Sequence, residues 1–143
     1  MSQSFANHTR WFPWWHFFAA PILFGYAGYR LVAAVRQPSL ASAGDAVVAV
    51  GIAFGVTLAR VMAITVQNRV IRLEERLRLA RLLPAADADA AIAAVTTRQL
   101  IALRFAPDAE LPGLVRRVLS GELTEPKAIK QAVQEWRADW LRV

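Results

Sequence analysis

With 143 residues, the chain has room for a helical hairpin and one small domain, and little more. It has no cysteine, which excludes disulfides, thiolate metal sites and cysteine catalysis. The net charge of +6 would suggest nucleic acid in a soluble protein. Here much of it flanks apolar stretches, where an inside-positive membrane topology is the simpler explanation.

The first apolar stretch covers residues 14–35 and the second 46–66. Each is long enough to cross about 30 Å of hydrocarbon as a helix, so a two-span membrane hairpin over 1–66 is expected. Trp11, Trp14 and Trp15 stand at the entry to the first span, with His16, Phe17 and Phe18 beside them. Indole rings favour the headgroup level, which makes the three tryptophans interfacial anchors. Pro21 is placed to bend the helix near its start. Ala41-Ser42-Ala43 has the small-x-small form of a signal cleavage site. The long apolar stretch and the single Arg10 ahead of it favour an uncleaved span.

Residues 36–45 read as a short turn that makes the spans antiparallel, with both termini on one side. Arg10, Arg60, Arg69, Arg72, Arg76, Arg78 and Arg81 flank that side, against Arg30 and Arg36 on the other. The excess places both termini in the cytoplasm. Gly51, Gly55, Ala59 and Ala63 recur every four residues in the second span, a ridge of small side chains suited to close helix packing. It can receive the first span of the same chain or the same ridge of a second chain; the short turn favours the first. Arg60 lies near the cytoplasmic end, where its long stem lets the guanidinium reach the interface. Arg60, Arg69, Arg72 and Arg76 are the candidate contacts to anionic lipid headgroups.

From Val66 the apolar residues Val70, Leu73, Leu77 and Ala80 follow at spacings of four, three, four and three. That is an a/d seam on a helix over 67–84, continuous with the second span. Glu74 with Arg78, and Arg72 with Glu75 and Arg76, are expected as surface pairs. Residues 85–143 read as a cytoplasmic helical domain: an alanine-rich helix over 85–95, then a helix opened by the capping box Thr96-x-x-Gln99. Asp108 is expected to cap the next helix, with Leu111, Leu114, Val115, Val118 and Leu119 on its apolar face and Gly121 as its stop. Thr124 is expected to cap a last helix bearing Ile129, Ala132, Val133, Trp136 and Trp140 on one stripe. The 67–83 helix is expected to complete this domain's core. Val70, Leu73, Leu77, Trp136 and Trp140 make up the candidate interaction seam. The fold class is therefore all-α: a transmembrane hairpin, a continuous arginine-rich helix and a small bundle of amphipathic helices.

NHTR at 7–10, QNRVIRLEERLRL at 67–79, TTRQLIALRFAPDAELPGLVRRVL at 96–119 and EPKAIKQAVQEWRADWLRV at 125–143 resemble an uncharacterised bacterial family. It is known only as a domain of unknown function in small two-pass membrane proteins. The resemblance spans nearly the whole chain and implies a bacterial inner membrane, but brings no activity, substrate or catalytic residue. Where the family has an acid, this chain has Asn68, so no essential acid is implied there.

Neither catalytic nor cofactor-binding nor metal-binding residues emerge. No nucleophile elbow, phosphate loop or metal-spaced cluster is present, and His8 and His16 are too few for a metal site. Adjacent Glu74 and Glu75 point about 100° apart on a helix, which suits ion pairs better than shared acid/base work. Interleaved acids argue against a nucleic-acid surface. The reading is a non-enzymatic anchor and interaction module, its partners the bilayer and either a second copy or another membrane protein. The alternative is a small membrane enzyme, or an accessory subunit of a membrane complex or transporter.

Overall fold

The computed structural model describes residues 4–7 and 11–139. Among these the chain is helical, without strands. A π-helical segment, Trp14–Ala19, leads into α1 (Ala20–Arg36), followed by α2 (Leu40–Leu82), α3 (Ala85–Ala94), α4 (Thr97–Leu103), α5 (Leu111–Leu119) and α6 (Pro126–Ala132). Contacts divide the described residues into two units: a hairpin over 11–64, and a helical domain of 65–139 with 4–7. The division falls inside α2, which is helical throughout residues 65–70.

In the hairpin, Pro21 sits in the first turn of α1 and offers no N–H to a carbonyl four residues back. The winding just before it is wider, and Ala20 N–H donates to Trp15 O, five residues earlier. The turn is shorter than the expected 36–45, because α2 already begins at Leu40. Two serines explain the early start: Ser39 Oγ accepts from Ser42 N–H at 3.0 Å, and Ser42 Oγ accepts from Ser39 N–H at 3.0 Å. This reciprocal capping satisfies two of the donors a helix start leaves open.

Helices α1 and α2 meet through Leu23, Ala27, Ala49 and Ala53. The Gly51, Gly55, Ala59 and Ala63 ridge takes no part in that packing and is exposed. A Cβ built on Gly51 or Gly55 would meet nothing within 4 Å. The alanines at 49 and 53 already give the close approach the glycines were expected to supply. Arg30 forms an ion pair with Asp45 between the two helices.

The two apolar helices are long and apolar enough to cross a membrane by length and composition. Their most apolar windows are only 6% and 11% buried, and the large residues Phe17, Phe18, Ile22, Phe24, Val47 and Phe54 point outward.

The helical domain has the opposite distribution. Leu79, Ala91, Leu100, Ala102, Leu103, Phe105, Ala106, Leu111 and Ile129 are fully enclosed. Leu79 comes from α2, so this helix does enter the domain core. It does so with the face formed by Ile71, Glu75, Arg78, Leu79 and the half-buried Leu82, opposite the seam.

The capping box at α4 is formed: Thr96 Oγ1 accepts from Gln99 N–H, and Gln99 Oε1 accepts from Thr96 N–H. Gln99 Nε2 also donates to Thr124 O at 3.0 Å, tying the α4 start to the loop before α6. Helix α5 buries Leu111, Leu114, Val115 and Val118, while Leu119 faces out. Gly121 then adopts φ +80°, a conformation that suits glycine because it has no Cβ.

Two expected caps are not formed. Glu110, not Asp108, precedes α5, because Asp108 is engaged by two arginines. Glu125, not Thr124, precedes α6, and Pro126 occupies its first turn. The last helix also ends early, at Ala132; Val133 is extended, and the chain continues without helix to Asp139.

Candidate functional site

The second half of α2, the α4–α5 loop and the segment after α6 enclose a charged cleft of about 1350 Å³. Its wall carries four arginines (Arg78, Arg81, Arg104, Arg137) and four acids (Glu74, Glu75, Asp108, Asp139), so it is charge-balanced. Arg78 is its centre. Nε donates to Asp108 Oδ1 at 2.6 Å, Nη1 to Glu75 Oε2 at 3.2 Å, and Nη2 to Ala106 O at 2.6 Å. A guanidinium projects donors in a fixed fork, which lets one side chain bind α2 itself, the α4–α5 loop backbone and a loop carboxylate.

Glu75 is 5% exposed and Arg78 6%. Burial pushes the Glu75 carboxyl above the ordinary carboxylate range, and the Arg78 and Arg137 charges oppose that shift. Arg137 Nη1 lies 3.9 Å from Glu75 Oε1. Asp108 is half-exposed and shifts the other way: the Arg78 hydrogen bond holds it below its ordinary value. Arg81 Nη2 adds a contact to Asp108 Oδ2 at 3.2 Å.

The far wall, which carries Arg104, Pro107, Arg137 and Asp139, is backed by the buried Phe105. Trp136 packs against its ring with centroids 4.7 Å apart, and the Arg104 guanidinium lies 4.4 Å from the ring centre. Arg104 Nε is 2.9 Å from Asp139 Oδ2. The segment after α6 is held by backbone donors: Gln134 and Glu135 N–H to the two Glu110 carboxylate oxygens at 3.0 and 2.9 Å, and Arg137 N–H to Phe105 O at 2.7 Å. The cleft thus works as an electrostatic clamp that fastens α2 to the rest of the domain.

The structure separates the residues singled out in the sequence. Glu74 does not pair with Arg78; Glu75 does, because Arg78 turns inward on the buried face of α2. Val70, Leu73 and Leu77 lie outward at 49%, 60% and 64% exposure. Trp136 is half-buried against Phe105 and so is not part of that exposed seam. Trp140 lies outside the described residues.

Among the lipid candidates, Arg69 is exposed and Arg72 half-exposed. Arg76 is drawn inward, Nη2 donating to Ile92 O at 3.3 Å, one of the carbonyls the last turn of α3 leaves open. In the hairpin unit, the Arg60 guanidinium lies 5.3 Å from the Trp15 ring centre, a cation–π contact. Trp11 and Trp14 are exposed. Trp11 packs edge-on against His16 at 4.8 Å, and Phe12 N–H donates to His16 Nδ1 at 3.1 Å. Among the described residues, no group of three or more His, Asp or Glu has metal-binding geometry.

The family model for DUF6526, a family of unknown function, matches residues 1–143. The chain belongs to the DUF6526 family. No curated protein and no solved structure matches it. For this DUF6526 chain, the sequence pattern marks Glu75 and Arg78 as surface pairs and Asp108 as a cap, and does not reveal that the three meet in one partly buried cluster. Their signal was positional: Glu75 and Arg78 share a helical face with Ile71, Leu79 and Leu82, and charges on an apolar stripe need partners.

Proposed function

We propose that this DUF6526 chain is a non-enzymatic, membrane-anchored interaction module, with the hairpin as a two-span anchor in the bacterial inner membrane. One observation carries the reading: the contrast between an apolar hairpin that turns its large side chains outward and a helical domain that encloses its own. A core helix of a soluble protein would be mostly covered, whereas outward phenylalanines, valines and isoleucines suit a hydrocarbon surrounding.

Arginine placement supports an orientation with both termini cytoplasmic. Arg69, Arg72, Arg76, Arg78 and Arg81 follow the apolar part of α2, against Arg30 and Arg36 near the turn. Exposed Arg69 and partly exposed Arg72 are the contacts to anionic headgroups, each contributing about 1 kcal/mol at a charged surface. The non-enzymatic part rests on the cleft, where Glu75, Asp108 and Asp139 are each held by a guanidinium rather than poised for proton transfer.

The absence of cysteine makes the test direct. Ser39→Cys in the turn and Asp89→Cys on the outer face of α3 are each introduced into the full chain. The chain is expected in the membrane pellet after an alkaline carbonate wash. An impermeant maleimide should label Ser39→Cys from the outside of intact cells, and Asp89→Cys only after the membrane is opened. Release by carbonate would refute the anchor, and the reverse labelling pattern would refute the orientation.

A further inference from the structure

We infer that the outward face of α2 between Val66 and Ala80 binds the same face of a second copy of this chain, in parallel. This rests on the membrane reading, since two copies with one topology present their α2 helices side by side in the same direction.

The face carries Val66, Val70, Leu73, Leu77 and Ala80, all exposed, on the side of α2 opposite its buried residues. The spacing places Val70 and Leu77 at a positions, and Val66, Leu73 and Ala80 at d positions. In the sequence the same alternation runs back through Ala63, Ala59 and Val56, each also exposed.

Charge selects the occupant. In a parallel pair, a g residue of one helix lies beside the e residue five positions on in the other. Arg69 occupies such a g position and Glu74 the matching e position, so a second copy brings the pair together twice. Both side chains are exposed, and neither forms an ion pair among the described residues. The other g/e combination, Arg76 with Arg81, would set like charges together. Arg76 is already directed to Ile92 O, and Arg81 to Asp108.

Two heptads are marginal as a coiled coil between free helices in water. Confinement of both copies in one bilayer raises their effective concentration, which favours pairing without new contacts.

The test is cysteine crosslinking of the full chain in native membranes. Residues on a two-fold seam meet their own copies, so Leu73→Cys and Leu77→Cys should each give a disulfide-linked dimer under mild oxidation. Asp89→Cys, exposed on α3, should not. In the Leu73→Cys chain, Arg69→Glu or Glu74→Arg should lower the dimer yield at least about threefold, and the double reversal should restore it. No dimer at 73 and 77 in chains recovered in the membrane pellet would overturn the inference, as would equal crosslinking at 89 or failure of the double reversal to restore it. A chain absent from the pellet that still crosslinks at the seam would refute the anchor while upholding the pairing.

Discussion

Replacing Arg78 by Met removes the guanidinium and keeps most of the apolar stem, which isolates the role of the clamp. Three hydrogen bonds are lost at once, to Asp108, Glu75 and Ala106 O. Asp108 is half-exposed and returns to water at little cost. Glu75 and the Ala106 carbonyl do not have that option: Glu75 keeps only the long contact to Arg137, and the carbonyl is left bare. Breaking a buried ion pair from one side costs about 3–5 kcal/mol, and the orphaned carbonyl falls within that range because coupled losses are not additive. A helical domain of this size has roughly 4–11 kcal/mol of stability in total, so the variant should be close to unfolding at 37 °C. Glu75→Leu combined with Arg78→Met removes both charges, and should recover all but about 1–2 kcal/mol. The assay is urea unfolding of the full chain in detergent, with Trp11, Trp14 and Trp15 changed to Phe. Trp136, packed on Phe105, then contributes to the emission. A cost below about 1 kcal/mol for Arg78→Met, or a double variant as unstable as the single one, would refute the buried clamp.

Two neighbours on α2 offer a contrast in facing. Leu79→Ala should cost about 2–5 kcal/mol, since Leu79 is 0% exposed within the core. Leu77→Ala should change domain stability by less than about 0.5 kcal/mol, and equal costs in the same urea titration would show the register of α2 to be wrong. Thr96→Ala removes one half of the α4 capping box and should cost about 1 kcal/mol, with faster amide exchange at Gln99 as its local signature. Asp108 has a folded-state value below its unfolded one, so its contribution is present above the unfolded value and is lost as pH falls through the folded one. Glu75 shifts the opposite way, so its ionisation weakens the fold as pH rises from the ordinary carboxylate range through its raised value. Stability profiles of Asp108→Asn and Glu75→Gln should each flatten the corresponding limb; an unchanged profile would refute the assignment.

The helices and their punctuation were legible because they depend on local chemistry. The Thr96 box, the stop at Gly121 and the apolar face of α5 follow from neighbours within four or five residues. The structure departs from the local pattern where tertiary contacts compete with it. Asp108 is in a position to cap α5, but Arg78, thirty residues earlier, binds it. The a/d pattern marks a regular stripe on α2, yet the core takes the opposite stripe with two charges on it, because Glu75 and Arg78 satisfy each other and the Ala106 carbonyl. The glycine ridge shows the same competition: packing of α1 against α2 needs small residues, and Ala49 and Ala53 supply them from another face. The last helix is shortened because Glu110 and Phe105 O take up backbone N–H groups between Gln134 and Arg137.

The binding of residues 134–137 to the α4–α5 region has a consequence for how the chain is made. The hairpin leaves the ribosome first, and each of its helices can form from its own residues. The domain has to wait, because Glu75 is contacted by Arg137, sixty-two positions later, and Phe105 is covered by Trp136. Until residue 137 has been synthesised, Glu75 lacks one of its two arginines and Phe105 lacks its aromatic cover. Synthesis at about 5–20 residues per second is far slower than helix formation, and that separation therefore sets an interval of seconds. The domain is completed after the hairpin, and the interval leaves Phe105 open to whatever chaperone attends the nascent chain.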